Sequence, residues 1–246
     1  MENKMEKTLK FTQLNQLDNS IMGILEQFGH AKSGDIKKLL PSSTTRSLNN
    51  IRGRLRILYK NFGYLDVLHE QQGKIYSLTS RGYSAYTRKS PQSKDSNLRG
   101  ISHLWIDLAR VRWVLDLKQD PTTGDTYTSG FESNQTIHEN GIDLSMLDAF
   151  MKGQVNRFLV VDTENLSIHT SATMERIKKF FDSLNHSKRK SKEIESLNEQ
   201  DNRIPSSIQL DVISFYQSRA VDIEDFIVDN KWTANARVLV HPLNSS

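Results

Sequence analysis

Apolar positions along the first third of the chain recur with a helical period and then switch to an alternating one. Ile21, Ile24, Leu25 and Phe28 follow Asp18 and Asn19, either of which can cap a helix, and Gly29 closes it. Ser33 heads a shorter pattern of Ile36, Leu39 and Leu40 that stops at Pro41. After the tight turn Pro41-Ser42-Ser43, Thr44 or Thr45 can cap a third helix whose stripe is Leu48, Ile51, Leu55 and Leu58. Beyond Gly63 the period changes: 64–70 and 74–78 read as two strands around the turn 71–73, and Thr79 caps a last helix over 80–86. Two helices joined by a turn of about four residues form a helix-turn-helix. The hairpin behind them makes a wing.

Residues 87–97 are polar, with one proline and no apolar side chain, and so predict a linker. Leu104, Trp105, Leu108, Val111, Val114 and Leu115 then give a helix with a broad apolar face, capped by Ser102. Loops and short edge strands are expected over 118–140, strands over 144–151 and 156–162, and a helix over 171–184. Residues 186–203 carry the run HSKRKSKE and no core pattern, which predicts an exposed excursion in which Lys188, Arg189 and Lys190 could touch nucleic acid. A strand over 208–216, a helix over 221–230 and a strand over 237–241 complete an α+β half. The expected organisation is a winged helix-turn-helix domain over 11–88, a linker over 89–97 and an α+β domain over 98–246.

Charge sharpens this division. Residues 1–97 hold 16 Lys+Arg against 8 Asp+Glu, and the remaining residues hold 17 against 21. Either the basic front half is a module for a polyanion and the mildly acidic back half has another task, or the imbalance is only a solvated surface; the architecture of the front half favours the first. There is no cysteine, so disulfides, thiolate metal sites and cysteine nucleophiles are excluded. No long apolar run and no signal-like start occur, which predicts a cytoplasmic chain without a membrane span. Nucleotide-binding and serine-esterase motifs are missing, and the scattered histidines (His103, His138, His169 and His241 among them) show no zinc spacing. His103 is expected to make a capping or core hydrogen bond.

The third helix supplies the candidate chemistry. Opposite its apolar stripe stand Arg46, Asn49, Asn50, Gly53, Arg56 and Lys60. Arginine can fork onto guanine and asparagine can pair with adenine, so Arg46, Asn49 and Asn50 are the expected base readers. Arg54, Arg56 and Lys60 lie further along and suit phosphates, Ser43, Thr44 and Thr45 lead into the helix, and Gln72 and Lys74 sit at the wing tip. Gly53, which costs the helix up to about 1 kcal/mol against Ala, marks either a place where the DNA backbone can come close or simply a tolerated glycine.

The segments ISHLWIDLARVRWVL, LDAFMKGQVNRFLVVDTE and MERIKKFF, following a winged helix, resemble the replication-relaxation family of plasmids, phages and integrative elements. The resemblance spans about residues 17–184. It implies a C-terminal domain similar to the restriction-endonuclease fold and a homodimeric, sequence-specific binder of double-stranded DNA. Such a protein would regulate or assist transcription, replication or mobilisation, with a replication or conjugation protein as a further partner. The family pattern places acids at Asp148 and Asp162 and a lysine at Lys178 or Lys179. Where it has a Glu two residues before Asp162, this chain has Val160, and Glu164 is the substitute at hand. Two readings follow. In one the domain is degenerate, non-cleaving, and needs no cofactor. In the other a nuclease or nicking protein holds Mg²⁺ with Asp148, Asp162 and Glu164, and Lys178 serves the attacking water.

Overall fold

The computed structural model describes residues 14–44, 46–70, 73–88, 103–118, 126–129, 138–139, 142–143, 147–152, 154–163, 171–194 and 208–241. The chain divides into two units, Met1–Leu115 and Asp116–Ser246. Both mix helices with sheet. No described helix is long and apolar enough to cross a membrane.

In the first unit, α1 (Gln16–Phe28) begins earlier than its apolar pattern, because Asn15 is the cap rather than Asp18 or Asn19. Asn15 Oδ1 accepts from the Asp18 amide and Asp18 Oδ2 from the Asn15 amide, both at 2.9 Å, which makes a reciprocal capping box. Gly29 ends the helix with φ of 85°, a conformation that glycine adopts without a Cβ clash. The next three residues form a strand that the pattern does not reveal, β1 (His30–Lys32), too short for a visible alternation. Ser33 is then the first residue of α2 (Ser33–Leu39) rather than its cap. The third helix, α3 (Leu48–Lys60), is capped by Ser47, whose side chain accepts from the Asn50 amide, so neither Thr44 nor Thr45 has that role.

The hairpin β2 (Leu65–Glu70) and β3 (Gly73–Leu78) follows, and β3 is the centre of a three-stranded antiparallel sheet, β1-β3-β2. In α4 (Ser80–Thr87), Thr79 caps as expected, accepting from the Gly82 amide at 3.0 Å. The core gathers Ile21, Met22, Leu25 and Phe28 with Ile36, Ile51, Leu55 and Leu58, closed by Leu65, Ile75 and Leu78. Each fully buried aliphatic side chain contributes about 1.5–3 kcal/mol.

The helix α5 (Leu104–Leu117) falls by sequence pattern with the C-terminal part, yet most of it belongs to the first unit. Buried Asp107 accepts from His30 Nδ1 at 2.8 Å and from Arg110 at 3.1 Å, and Arg110 also donates to the Gln27 carbonyl at 3.3 Å. A carboxylate and a guanidinium without solvent are tolerable only when paired like this. The pairing joins His30 to Asp107, far apart in the chain, so no local pattern announces it.

The second unit is built on a five-stranded sheet in the order β10 (Ala236–Val240), β9 (Ile208–Ser214), β8 (Asn156–Asp162), β7 (Ala149–Lys152) and β4 (Thr126–Ser129). Strands β4, β7 and β8 pair antiparallel. Strands β8, β9 and β10 pair parallel, each step crossed by a helix. Those helices are α6 (Ser171–Ile194) and α7 (Gln217–Asp229). Strands β5 (His138–Glu139) and β6 (Ile142–Asp143) form a separate two-stranded sheet. Strand β8 is buried along nearly its whole length, as a central strand covered on both faces must be. Helix α6 runs past the end that its apolar pattern predicts, so 186–194 are helical. An aromatic chain ties the layers: Phe158 lies 4.9 Å from Phe150 and 5.1 Å from Phe180, and Phe181 stacks on Trp232 at 4.4 Å.

Candidate nucleic-acid interface

Burying Ile51, Leu55 and Leu58 leaves the opposite side of α3 to solvent. Asn49, Asn50, Arg52, Gly53, Arg56, Tyr59 and Lys60 are all exposed there. Neither an acid nor a large aliphatic side chain interrupts them, so the face offers donors and positive charge along its whole length. At Gly53 an added Cβ would meet nothing within 4 Å, so nothing inside the protein requires glycine at this point.

Several expected contacts are relocated. Arg46 is exposed but precedes the Ser47 cap, so it lies in the connecting segment rather than on the helix. Ser43 is exposed in the turn, whereas Thr44 is buried and its hydroxyl donates to the Pro41 carbonyl at 3.1 Å. Thr44 therefore shapes the turn and does not face a ligand. Arg54 is turned inward: its Nε donates to Asp18 Oδ1 at 2.7 Å and its second nitrogen meets Asp18 Oδ2. Its guanidinium is held by a fully buried carboxylate and is not presented to phosphate. Thr45 and Gln72 lie outside the described residues. Lys74 is exposed at the start of β3.

The exposed face of α3 continues into a cleft of about 710 Å³ between that helix, the β2–β3 hairpin and the segment around Lys32. Arg52, Arg56, Tyr59 and Lys60 form one wall, Val67, His69, Lys74 and Tyr76 the other, and Asp35 also lines it. Burial pushes the Asp35 carboxyl above the usual carboxylate range, against the pull of Lys38, Lys32 and Arg112. Burial likewise raises the Tyr76 phenol, against Arg52. Arg52 and Tyr59 are not among the residues that the sequence singles out. Their positions relative to Arg56 and Lys60 are the helical spacings that could have found them.

In the second unit the acids implied by the family resemblance are engaged with arginines. Asp148, just before β7, accepts at Oδ2 from the Val161 amide at 2.6 Å and from Arg176 at 2.8 Å. Asp162 ends β8 opposite Ser214 and is 2 % exposed. It accepts from Thr173 at 2.8 Å, from Ser214 at 3.2 Å and from Arg219 at 3.2 and 3.0 Å. The same pairing recurs at Asp211, which takes Arg237. Lys178 is exposed on α6 and Lys179 pairs with Glu175, so the cation beside Asp148 is Arg176 instead. Glu164 lies outside the described residues. Carboxylates so committed to guanidinium do not fit a Mg²⁺ site, which needs their lone pairs for a hard cation. Among the described residues no three His, Asp or Glu side chains group as metal ligands.

No family model, curated protein or solved structure matches this chain.

Proposed function

We propose that the protein is a sequence-specific binder of double-stranded DNA whose first unit is a winged helix-turn-helix, with α3 as recognition helix and β2–β3 as wing. The carrying observation is the uninterrupted polar and basic face of α3, set on a helix whose other side is locked into the core. Asn49 and Asn50 on the first turn suit base edges, and Arg56 and Lys60 suit phosphates. The surplus of Lys and Arg in residues 1–97 favours the same partner.

The second unit is read as a domain similar to the restriction-endonuclease fold that no longer cleaves and serves dimerisation or partner docking. Its mixed sheet with helical crossovers supports the likeness. The arginines on Asp148 and Asp162 support loss of cleavage. In this reading the protein resembles the replication-relaxation proteins and acts as a homodimeric regulator or accessory factor of a mobile element. A gel shift with duplex from the region upstream of its own gene tests the reading. Retardation that survives an excess of random duplex is expected; equal competition by random duplex overturns sequence specificity.

A further inference from the structure

The face of α3 explains a contact with duplex, but not the cleft beside it. The cleft combines two kinds of lining. Arg52, Arg56 and Lys60 bring positive charge along one wall, and Lys74 brings it from the other. The lining also includes Tyr59, 44 % exposed, the half-buried Val67, the edge of the buried Tyr76 and one acid, Asp35. The backbone of a paired duplex has no use for aromatic surface, because its bases are stacked on one another. An unpaired base does, since a tyrosine ring offers it a new stacking partner and the neighbouring cations hold its phosphates. From Arg52 to Lys60 the helix rises about 12 Å. That is further than one phosphate group can bridge, so the charge layout fits successive phosphates of a strand rather than the head of a free nucleotide.

We propose that this cleft binds a single, unpaired nucleic-acid strand, with Tyr59 as the stacking platform. The inference rests on the reading of α3 as a DNA-binding helix and adds a second mode to it, in which Arg56 and Lys60 serve the phosphates of a strand in the cleft instead of those of a duplex.

Fluorescence anisotropy of the full chain decides it, using labelled dT12, a labelled blunt duplex and unlabelled ATP as competitor. Binding of dT12 is expected, weakened roughly 5- to 100-fold by Tyr59→Ala and restored by Tyr59→Phe, with the loss on dT12 at least about fivefold larger than any loss on duplex. ATP at equal phosphate concentration is expected to leave dT12 bound. Displacement by ATP would overturn the strand in favour of a free nucleotide. Equal weakening on dT12 and duplex in Tyr59→Ala would overturn the stacking role. Duplex binding without dT12 binding overturns this inference alone, and binding to neither overturns the duplex reading with it.

Discussion

Arg54 on α3 donates through Nε to Asp18 on α1 at 2.7 Å, and Asp18 is fully buried. The same carboxylate closes the capping box of α1 through the Asn15 amide. One acid therefore starts α1 and clamps α3. This is why Arg54, in a run of arginines at 52, 54 and 56, is structural while its neighbours are exposed.

Arg54→Ala should lower stability by about 3 kcal/mol, because it leaves the fully buried Asp18 carboxylate without its cation. Asp18→Ala should cost about 1–3 kcal/mol, because it removes both the clamp and the capping box. Arg52→Ala, on the exposed face, should change it by less than about 0.5 kcal/mol. Urea unfolding of the three variants checks the difference. Equal, small effects would show that the clamp carries no stability.

The exposed side chains of α3 should separate by role in DNA titrations. Asn49→Ala or Asn50→Ala should cost about 1–3 kcal/mol on the preferred duplex and little on random duplex. Lys60→Ala should weaken both alike and reduce the slope of log K against log salt by about 0.9 for each phosphate that is no longer neutralised. Binding measured at several salt concentrations on both duplexes gives each effect separately. Parent-like binding by all three variants would remove this face from the interface.

Two glycines should respond in opposite directions. A Cβ at Gly82 would lie 2.0 Å from the Tyr64 carbonyl oxygen, so Gly82→Ala must push α4 away from the strand entrance and lower the melting temperature. Gly53→Ala meets no such neighbour and should stabilise α3 by up to about 1 kcal/mol. If the DNA backbone approaches closely at Gly53, that same variant binds duplex more weakly despite being more stable. Thermal melts paired with anisotropy separate the two effects.

The arginine-bound acids of the second unit predict a stability phenotype rather than a loss of cleavage. Supercoiled plasmid incubated with the protein and Mg²⁺ or Mn²⁺ should remain intact. Asp162→Ala should destabilise the second unit by about 3 kcal/mol, since Arg219, itself buried, would lose its carboxylate. Nicking by the parent protein that disappears in Asp148→Ala and Asp162→Ala would establish the nuclease reading instead.

Local rules make much of this protein legible from its residues. The stripe Ile51, Leu55 and Leu58 marks α3, the alternation after Gly63 marks the hairpin, and Thr79 marks the cap of α4, because each depends on neighbours a few positions apart. What the rules miss depends on partners distant in the chain. The strand β1 exists because β3 offers it a ladder, with Ala31 opposite Tyr76. Helix α5 joins the first unit because His30 and Asp107 meet. At the candidate site, the periodicity of α3 places Asn49, Asn50, Arg56 and Lys60 on the open face, while only packing withdraws Arg54 and Thr44 and opens a cleft beside Tyr59. Sequence thus determined which charges the chain carries and which helix faces are apolar. Tertiary structure decided which of those charges are consumed internally, since a guanidinium is available to a ligand only where no buried carboxylate has already taken it.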